Sequence, residues 1–262
     1  TRFWPVSREQ SPKQLQKFVG SGTMIQNTVQ RLFPLVPIEK MYVGTHHQQA
    51  LETLRQLDSL EFSPDHLLAE PCSRNTAAAI GLMAKMIADK DANAVMAVFP
   101  ADHVVANSKN YIKVLQKAES LAQKSFLVTL GIPPTRPETG FGYLKQGTKI
   151  NGFQETYHVE QFVEKPDIST AKKYLEQGTY FWNCGVFVWK ASTLLEELQK
   201  HAPDIHSQLK TLTDCLKSSK GKFAHLEMNA KGCEIFSSLP SLSIDYAVME
   251  KSSKVVLVPA NI

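Results

Sequence analysis

The sequence predicts a layered α/β fold of Rossmann-like class with a mixed, mainly parallel central sheet, and two observations carry that expectation. Short β-branched apolar runs alternate along the chain with amphipathic stretches at helical spacing, the order that parallel strands need for their crossovers. Several of the runs are apolar at consecutive positions, as in strands covered on both faces.

In chain order, strands are expected at residues 40–44, 94–99, 126–131, 158–163, 185–190 and 254–258. Between them, residues 45–57 carry Leu51, Leu54 and Leu57 on one inner stripe, residues 76–88 carry Ile80, Met83 and Ile87, and residues 111–122 carry Ile112, Leu115, Ala118 and Leu121. The second half is less regular. Asp167 stands where it would cap a helix bearing Ile168, Ala171 and Leu175, and Thr193 with Glu196 has capping-box spacing in a helix bearing Leu194, Leu195 and Leu198. The polar, glycine-containing stretches 147–152 and 217–222 read as surface loops. One domain over residues 1–262 with a peripheral helical insertion is expected.

Composition narrows the function classes. With 43% hydrophobic and 21% charged residues, a disordered or collagen-like chain is excluded. The 29 basic and 25 acidic residues leave a net charge of +4 spread along the chain. Duplex nucleic acid is therefore not an expected partner, whereas nucleotide-sized anions need only a few placed cations. No apolar run approaches the roughly 18 residues of a membrane span, and residues 1–5 hold no signal-peptide core. A cytoplasmic protein that enters no membrane is expected. Cys72, Cys184, Cys215 and Cys233 show no C-x-x-C pairing and read as reduced thiols. His46 and His47 are adjacent, and His201 and His206 do not share a helix face, so no structural zinc is expected.

In open α/β sheets ligands bind beyond the carboxyl ends of the strands, so the residues after each run are the candidates. Pro100-Ala101-Asp102-His103 leaves Asp102 on the rim, where a carboxylate either caps the next turn or holds a divalent cation against a phosphate. Residues 132–143, with three prolines and two glycines, are either a rigid turn or a loop whose backbone approaches a ligand closely. Glu164-Lys165-Pro166 sets an acceptor beside a cation, a pair also common on plain surfaces. Asn183-Cys184-Gly185 brings an amide into an apolar strand; left unpaired and buried it would cost about 1–3 kcal/mol, so it needs a backbone or ligand partner. Arg2, Arg8 and Lys13 share one short irregular segment, which serves either solubility or the clamping of a polyphosphate.

Together and in this order these segments resemble the sugar-nucleotide pyrophosphorylases. Arg2-Phe3-Trp4-Pro5, Ser7-Arg8 and Pro12-Lys13-Gln14 are similar to the tail of that family's glycine-rich nucleotide signature. Phe99-Pro100-Ala101-Asp102-His103, residues 133–143, Phe162-Val163-Glu164-Lys165-Pro166, Trp182-Asn183-Cys184-Gly185-Val186-Phe187 and residues 243–251 follow in family order. Their variants are those of its mannose-1-phosphate guanylyltransferase branch.

The resemblance implies a glycosyltransferase-A-type nucleotidyltransferase that joins GTP and mannose 1-phosphate into GDP-mannose and pyrophosphate by one in-line displacement. Carried over by position, Arg2 and Lys13 would bind phosphate and offset charge at the α-phosphorus, and Asp102 would ligate Mg2+. Arg74, Asn75 and Thr76, opening a helix, would hold the nucleotide. Gly142, Glu164, Asn183 and Asp245 would face the mannose, with Lys165 on its phosphate. The implied catalytic set is Arg2, Lys13, Asp102 and Lys165, and a homodimer is compatible with it. The chemistry suits these residues, because an anionic sugar phosphate needs no general base and phosphoryl transfer is driven by positioning and charge compensation. No strand leads into G-x-G-x-x-G, which argues against a dehydrogenase.

Two departures qualify the match. The family signature opens with an apolar strand and a Gly-Gly-x-Gly turn ahead of the position of Arg2, and the sequence carries neither. It also ends before the segment where relatives carry a second metal-binding aspartate. A longer parent protein is expected, with Asp102 the metal ligand in hand. A catalytically silent nucleotide-sugar-binding or regulatory homologue, or a pyrophosphorylase for another base or sugar, are the alternatives.

Overall fold

The computed structural model describes residues 12–262, and its strands fall into two sheets. The smaller holds β1 (Val43–His46), β2 (Leu67–Glu70), β8 (Leu216–Ser218) and β9 (Leu226–Met228) in the order β1-β2-β9-β8. The larger holds β3 (Val95–Val98), β4 (Leu127–Ile132), β5 (Gly142–Lys149), β6 (Tyr157–Val163), β7 (Tyr180–Lys190) and β10 (Val255–Pro259) in the order β3-β7-β4-β10-β6-β5. The first half of β7 also pairs with β5, from Gly142 opposite Asn183 to Lys145 opposite Tyr180, so part of this sheet closes on itself.

The helices are α1 (Met24–Leu32), α2 (Ala50–Leu57), α3 (Asn75–Lys90), α4 (Ser108–Ala122), α5 (Ile168–Gln177), α6 (Ala191–His201), α7 (Pro203–Asp214) and α8 (Ala230–Ser238). On one face, α1, α2 and α4 bring Val29, Leu54 and Leu115 onto Val128, Val186, Val188 and Val256. On the other, α3, α6, α7 and α8 bring Leu82, Leu198, Leu209 and Phe236 onto Leu127, Phe187, Trp189 and Val255. Successive residues of a strand point to opposite faces. Val186 and Val188 therefore enter one core while Phe187 and Trp189 enter the other, which is why this run is apolar without alternation.

The mixed α/β class holds, with a different balance of directions. Parallel pairing joins β1 to β2, β2 to β9 and β4 to β10, while the remaining pairings among the described residues are antiparallel. The long return of β7 between β3 and β4 is the main cause. β5 takes in Gly147, and β8 takes in Lys217 and Ser218, where loops are expected from polarity; both strands have largely solvent-facing ends. β1 runs on to His46, followed by a 3-10 turn at His47–Gln49, so α2 starts late and turns its phase. Ala50, Thr53, Leu54 and Leu57 are buried, whereas Leu51 is 51% exposed. Thr193 lies inside α6, which follows β7 without a break, and forms no capping box. Asp167 does cap α5, its Oδ1 accepting the Thr170 N–H at 2.8 Å, although Ile168 faces solvent. Tyr111 rather than Ile112 completes the buried stripe of α4. Among the described residues no helix is long and apolar enough to cross a membrane.

Candidate functional site

Pro100 follows the end of β3, and the next residues turn along the sheet's rim. Arg31 of α1 braces that turn by donating from Nη2 to the His103 carbonyl at 2.9 Å. Burial holds the His103 imidazole below its ordinary range. Asp102 caps no helix, since the N-cap of α4 is Asn107, whose side chain accepts the Asn110 N–H. Instead its carboxylate is ion-paired with the Lys13 ammonium. Lys13 comes from a 3-10 turn anchored by the buried side chain of Leu15. Asp102 borders a cleft of about 220 Å³ that also has Gln14, Ile25, Gly44, Thr45 and Pro100 in its wall.

Sequence reasoning passed over one buried acidic group at the end of β2. Glu70 ends β2 opposite His46 in register, with Oε1 3.9 Å from where a Cβ on Gly44 would sit. Burial pushes its carboxyl up to about 7. No hydrogen bond to it is found among the described residues. The available signal was a carboxylate closing the apolar tetrad Leu67-Leu68-Ala69-Glu70.

The start of α3 is tightly organised. Arg74 is its N-cap residue, with a buried Nε that meets no partner among the described residues. Asn75 takes a left-handed backbone (φ 60°), and its Oδ1 accepts the Thr76 N–H. The Thr76 hydroxyl accepts the Ile244 N–H at 2.8 Å, so it ties α3 to the segment carrying Asp245.

The five residues expected to face a sugar fall into one cluster. Gly142 opens β5 opposite Asn183 of β7, and a Cβ there would lie 2.5 Å from Glu164 Oε2. Only a glycine leaves the Glu164 carboxylate its place. Lys165 is left-handed (φ 47°), donates its backbone N–H to the Phe141 carbonyl at 3.2 Å, and sets Nζ 2.6 Å from Glu164 Oε1. That hydrogen bond raises the Lys165 pKa above its ordinary value. Asn183 donates from Nδ2 to Asp245 Oδ1 at 2.8 Å, and its Oδ1 accepts the Thr129 hydroxyl at 3.2 Å and the Gly185 N–H at 3.1 Å. The partners this strand amide requires are thus a backbone group and two side chains. Asp245 begins a π-helical turn over Asp245–Met249, and burial, then Glu164, pushes its carboxyl up. Burial and the same two carboxylates raise Glu250.

Two contacts join the halves: Pro100 Cγ lies 3.4 Å from the Cβ position of Gly185, and the Thr76–Ile244 bond bridges α3 to the π-helical turn. Arg2 and Arg8 lie outside the described residues. Thr129 is the second residue sequence reasoning passed over, and a hydroxyl in the apolar run Leu127-Val128-Thr129-Leu130 was its signal. Chemically, the Lys13–Asp102 end offers an ammonium to a phosphate chain and a carboxylate to a divalent cation, and the Glu164–Asp245 end offers carboxylate acceptors to a polyol. Among the described residues no three His, Cys, Asp or Glu side chains converge as a metal cage. Mg2+ characteristically takes one or two carboxylates and completes its octahedron with water and phosphate oxygens, a demand the rim carboxylate of Asp102 fits.

A family model described as Nucleotidyl transferase matches residues 1–224. The mannose-1-phosphate guanylyltransferase of Salmonella muenchen is 38% identical over 267 residues, covering 100% of this chain and 54% of that protein. A Thermus thermophilus structure described as mannose-1-phosphate geranyltransferase superposes with a TM-score of 0.84 at 34% identity, over 98% of this chain and 70% of that one. A Helicobacter pylori structure described as mannose-6-phosphate isomerase gives 0.84 at 30% identity, over 97% and 94%. The chain spans about half the length of the curated relatives it matches.

Proposed function

Because this chain belongs to the nucleotidyl transferase family, we propose that it transfers GMP from GTP to mannose 1-phosphate, forming GDP-mannose and pyrophosphate. One observation carries the reading: a Lys13–Asp102 pair at an open cleft on the sheet's rim continues, through the Pro100–Gly185 contact, into a cluster of sugar-binding character. The three relatives' names share a mannose phosphate and differ in reaction; the family match favours nucleotidyl transfer.

An oxygen of mannose 1-phosphate attacks the α-phosphorus of GTP as the bond to the bridging oxygen breaks, and pyrophosphate leaves with that electron pair. The nucleophile is already anionic, so no side chain need remove a proton. What the chain supplies is position and charge. The Lys13 ammonium offsets phosphate charge, the half-exposed Lys165 ammonium receives the sugar phosphate, and Glu164 and Asp245 accept hydrogen bonds from sugar hydroxyls. Asp102 would hold Mg2+. When bound, the cation supplies charge neutralisation at the phosphate oxygens.

The test is pyrophosphate release by the intact protein with Mg2+, mannose 1-phosphate and GTP, UTP, ATP or CTP in turn. GTP is expected to be preferred, and Asp102→Asn to lower the rate by about 100-fold or more with the thermal midpoint unchanged. Release with none of the four, or a preference for UTP or ATP, overturns the proposal. GTP and sugar phosphate bound without release would mark a silent homologue.

A further inference from the structure

The Asn183 amide is oriented twice over. Its Oδ1 faces the Gly185 N–H, which can only donate, and its Nδ2 faces the Asp245 carboxylate, which in its ionised form can only accept. The Thr129 hydroxyl, 3.2 Å from that same Oδ1, is therefore a donor. Thr129 is fully buried on β4, so water does not compete for the bond. Its register partner on β7 is Phe187, and the pairing slips between Thr129 and Gly131 before Gly131 meets Asn183. This β-bulge carries the hydroxyl to an amide it would not face in regular pairing.

We propose that Thr129 is a positioning residue for the sugar half of the site: by donating to Asn183 Oδ1 it locks the amide with its NH2 edge toward Asp245, fixing the Asn183–Asp245 pair as a preformed acceptor and donor for sugar hydroxyls. The terminal torsion of an asparagine is broad and nearly two-fold. A flipped amide would set NH2 against the Gly185 N–H and its carbonyl against a carboxylate, and the Thr129 hydroxyl would have to turn from donor to acceptor. Without the hydroxyl a single backbone N–H holds that edge. Glu164 adds negative charge beside Asp245, so the amide donor is what keeps Asp245 aimed. The inference rests on the reading of this cluster as the mannose 1-phosphate subsite.

The test compares Thr129→Val, which keeps the shape and loses the hydroxyl, with Thr129→Ser, which keeps the hydroxyl and loses a methyl. Initial rates of pyrophosphate release by the intact protein are measured against each substrate, with calorimetric binding of mannose 1-phosphate alongside. Thr129→Val is expected to raise KM and Kd for mannose 1-phosphate about fivefold, the worth of one net hydrogen bond. KM for GTP should hold, the thermal midpoint should fall by no more than the roughly 2–4 °C that one net hydrogen bond is worth in a chain of this size, and Thr129→Ser should restore the wild-type KM. A packing role predicts the reverse order, with Ser the more damaging variant. Sugar-phosphate constants for Thr129→Val within about twofold of wild type, or a rise shared equally with GTP, overturn the proposal while leaving the functional reading intact. Wild-type protein that neither turns over nor binds mannose 1-phosphate overturns both.

Discussion

Replacing Glu70 by glutamine tests the buried carboxylate that ends β2. Burial pushes the Glu70 carboxyl from 4.5 to about 7, so the folded chain prefers it protonated. Below about pH 4.5 both states hold the proton and the group costs nothing. As pH rises, the unfolded carboxyl ionises first, and above about 7 the folded one must carry a desolvated charge. Its favourable contribution is therefore full at low pH and lost as pH climbs through about 7, a swing of about 3 kcal/mol. Between about pH 5 and pH 8.5 some 2–3 kcal/mol of that should be seen, because the unfolded carboxyl is already partly ionised at the lower limit. Glu70→Gln keeps the shape and cannot ionise. Paired thermal melts of variant and wild type without ligand should diverge over that range in the variant's favour, by about 5–10 °C for a chain of this size. Other titrating groups cancel in the difference. Midpoints that stay parallel would refute the buried ionisation.

Two further substitutions probe the halves of the site. Gly142→Ala puts a methyl 2.5 Å from Glu164 Oε2 and must displace that carboxylate. KM for mannose 1-phosphate should rise about tenfold with little change in stability, because the atom displaced is the tip of a flexible side chain, and an unchanged KM would remove Glu164 from the sugar subsite. Lys13→Ala should lower kcat by about 100-fold with little change in the mannose 1-phosphate KM, because its charge is needed at the phosphorus rather than the sugar. A raised KM at constant kcat would contradict that role.

What could be read from the sequence divides along a physical line. Five of the six expected runs became β3, β4, β6, β7 and β10 to within a few residues, except that β7 starts earlier, while the run at 40–44 overlaps β1 only at Val43 and Gly44; strands buried on both faces, such as β4 and β10, declare themselves without a partner. β5, with Gly142 at its head, stayed hidden because its outer half is polar and owes its state to pairing, and β2 stayed hidden although Leu67, Leu68 and Ala69 are apolar and buried, because so short a run does not tell strand from helix. The same division runs through the site. Lys13, Asp102, Glu164, Lys165, Asn183 and Asp245 could be named because their residue types and order resemble a family, and the structure draws Lys13 to Asp102 and the last four into one cluster.

Thr129 and Glu70 could not be named that way, since a hydroxyl or a carboxylate in an apolar run signals only that the group is buried, not what it meets. Thr129 matters through a register slip that only the β4–β7 pairing creates. Glu70 matters through desolvation by neighbours from β1 and α3, among them Gly44 and Met83. A side chain whose role is created by burial or by a bulge is invisible until the strands are paired. In this fold such residues stand directly behind those the sequence reveals, with Thr129 holding Asn183 and Asn183 holding Asp245, so the orientation of the recognisable ligands is itself a tertiary property.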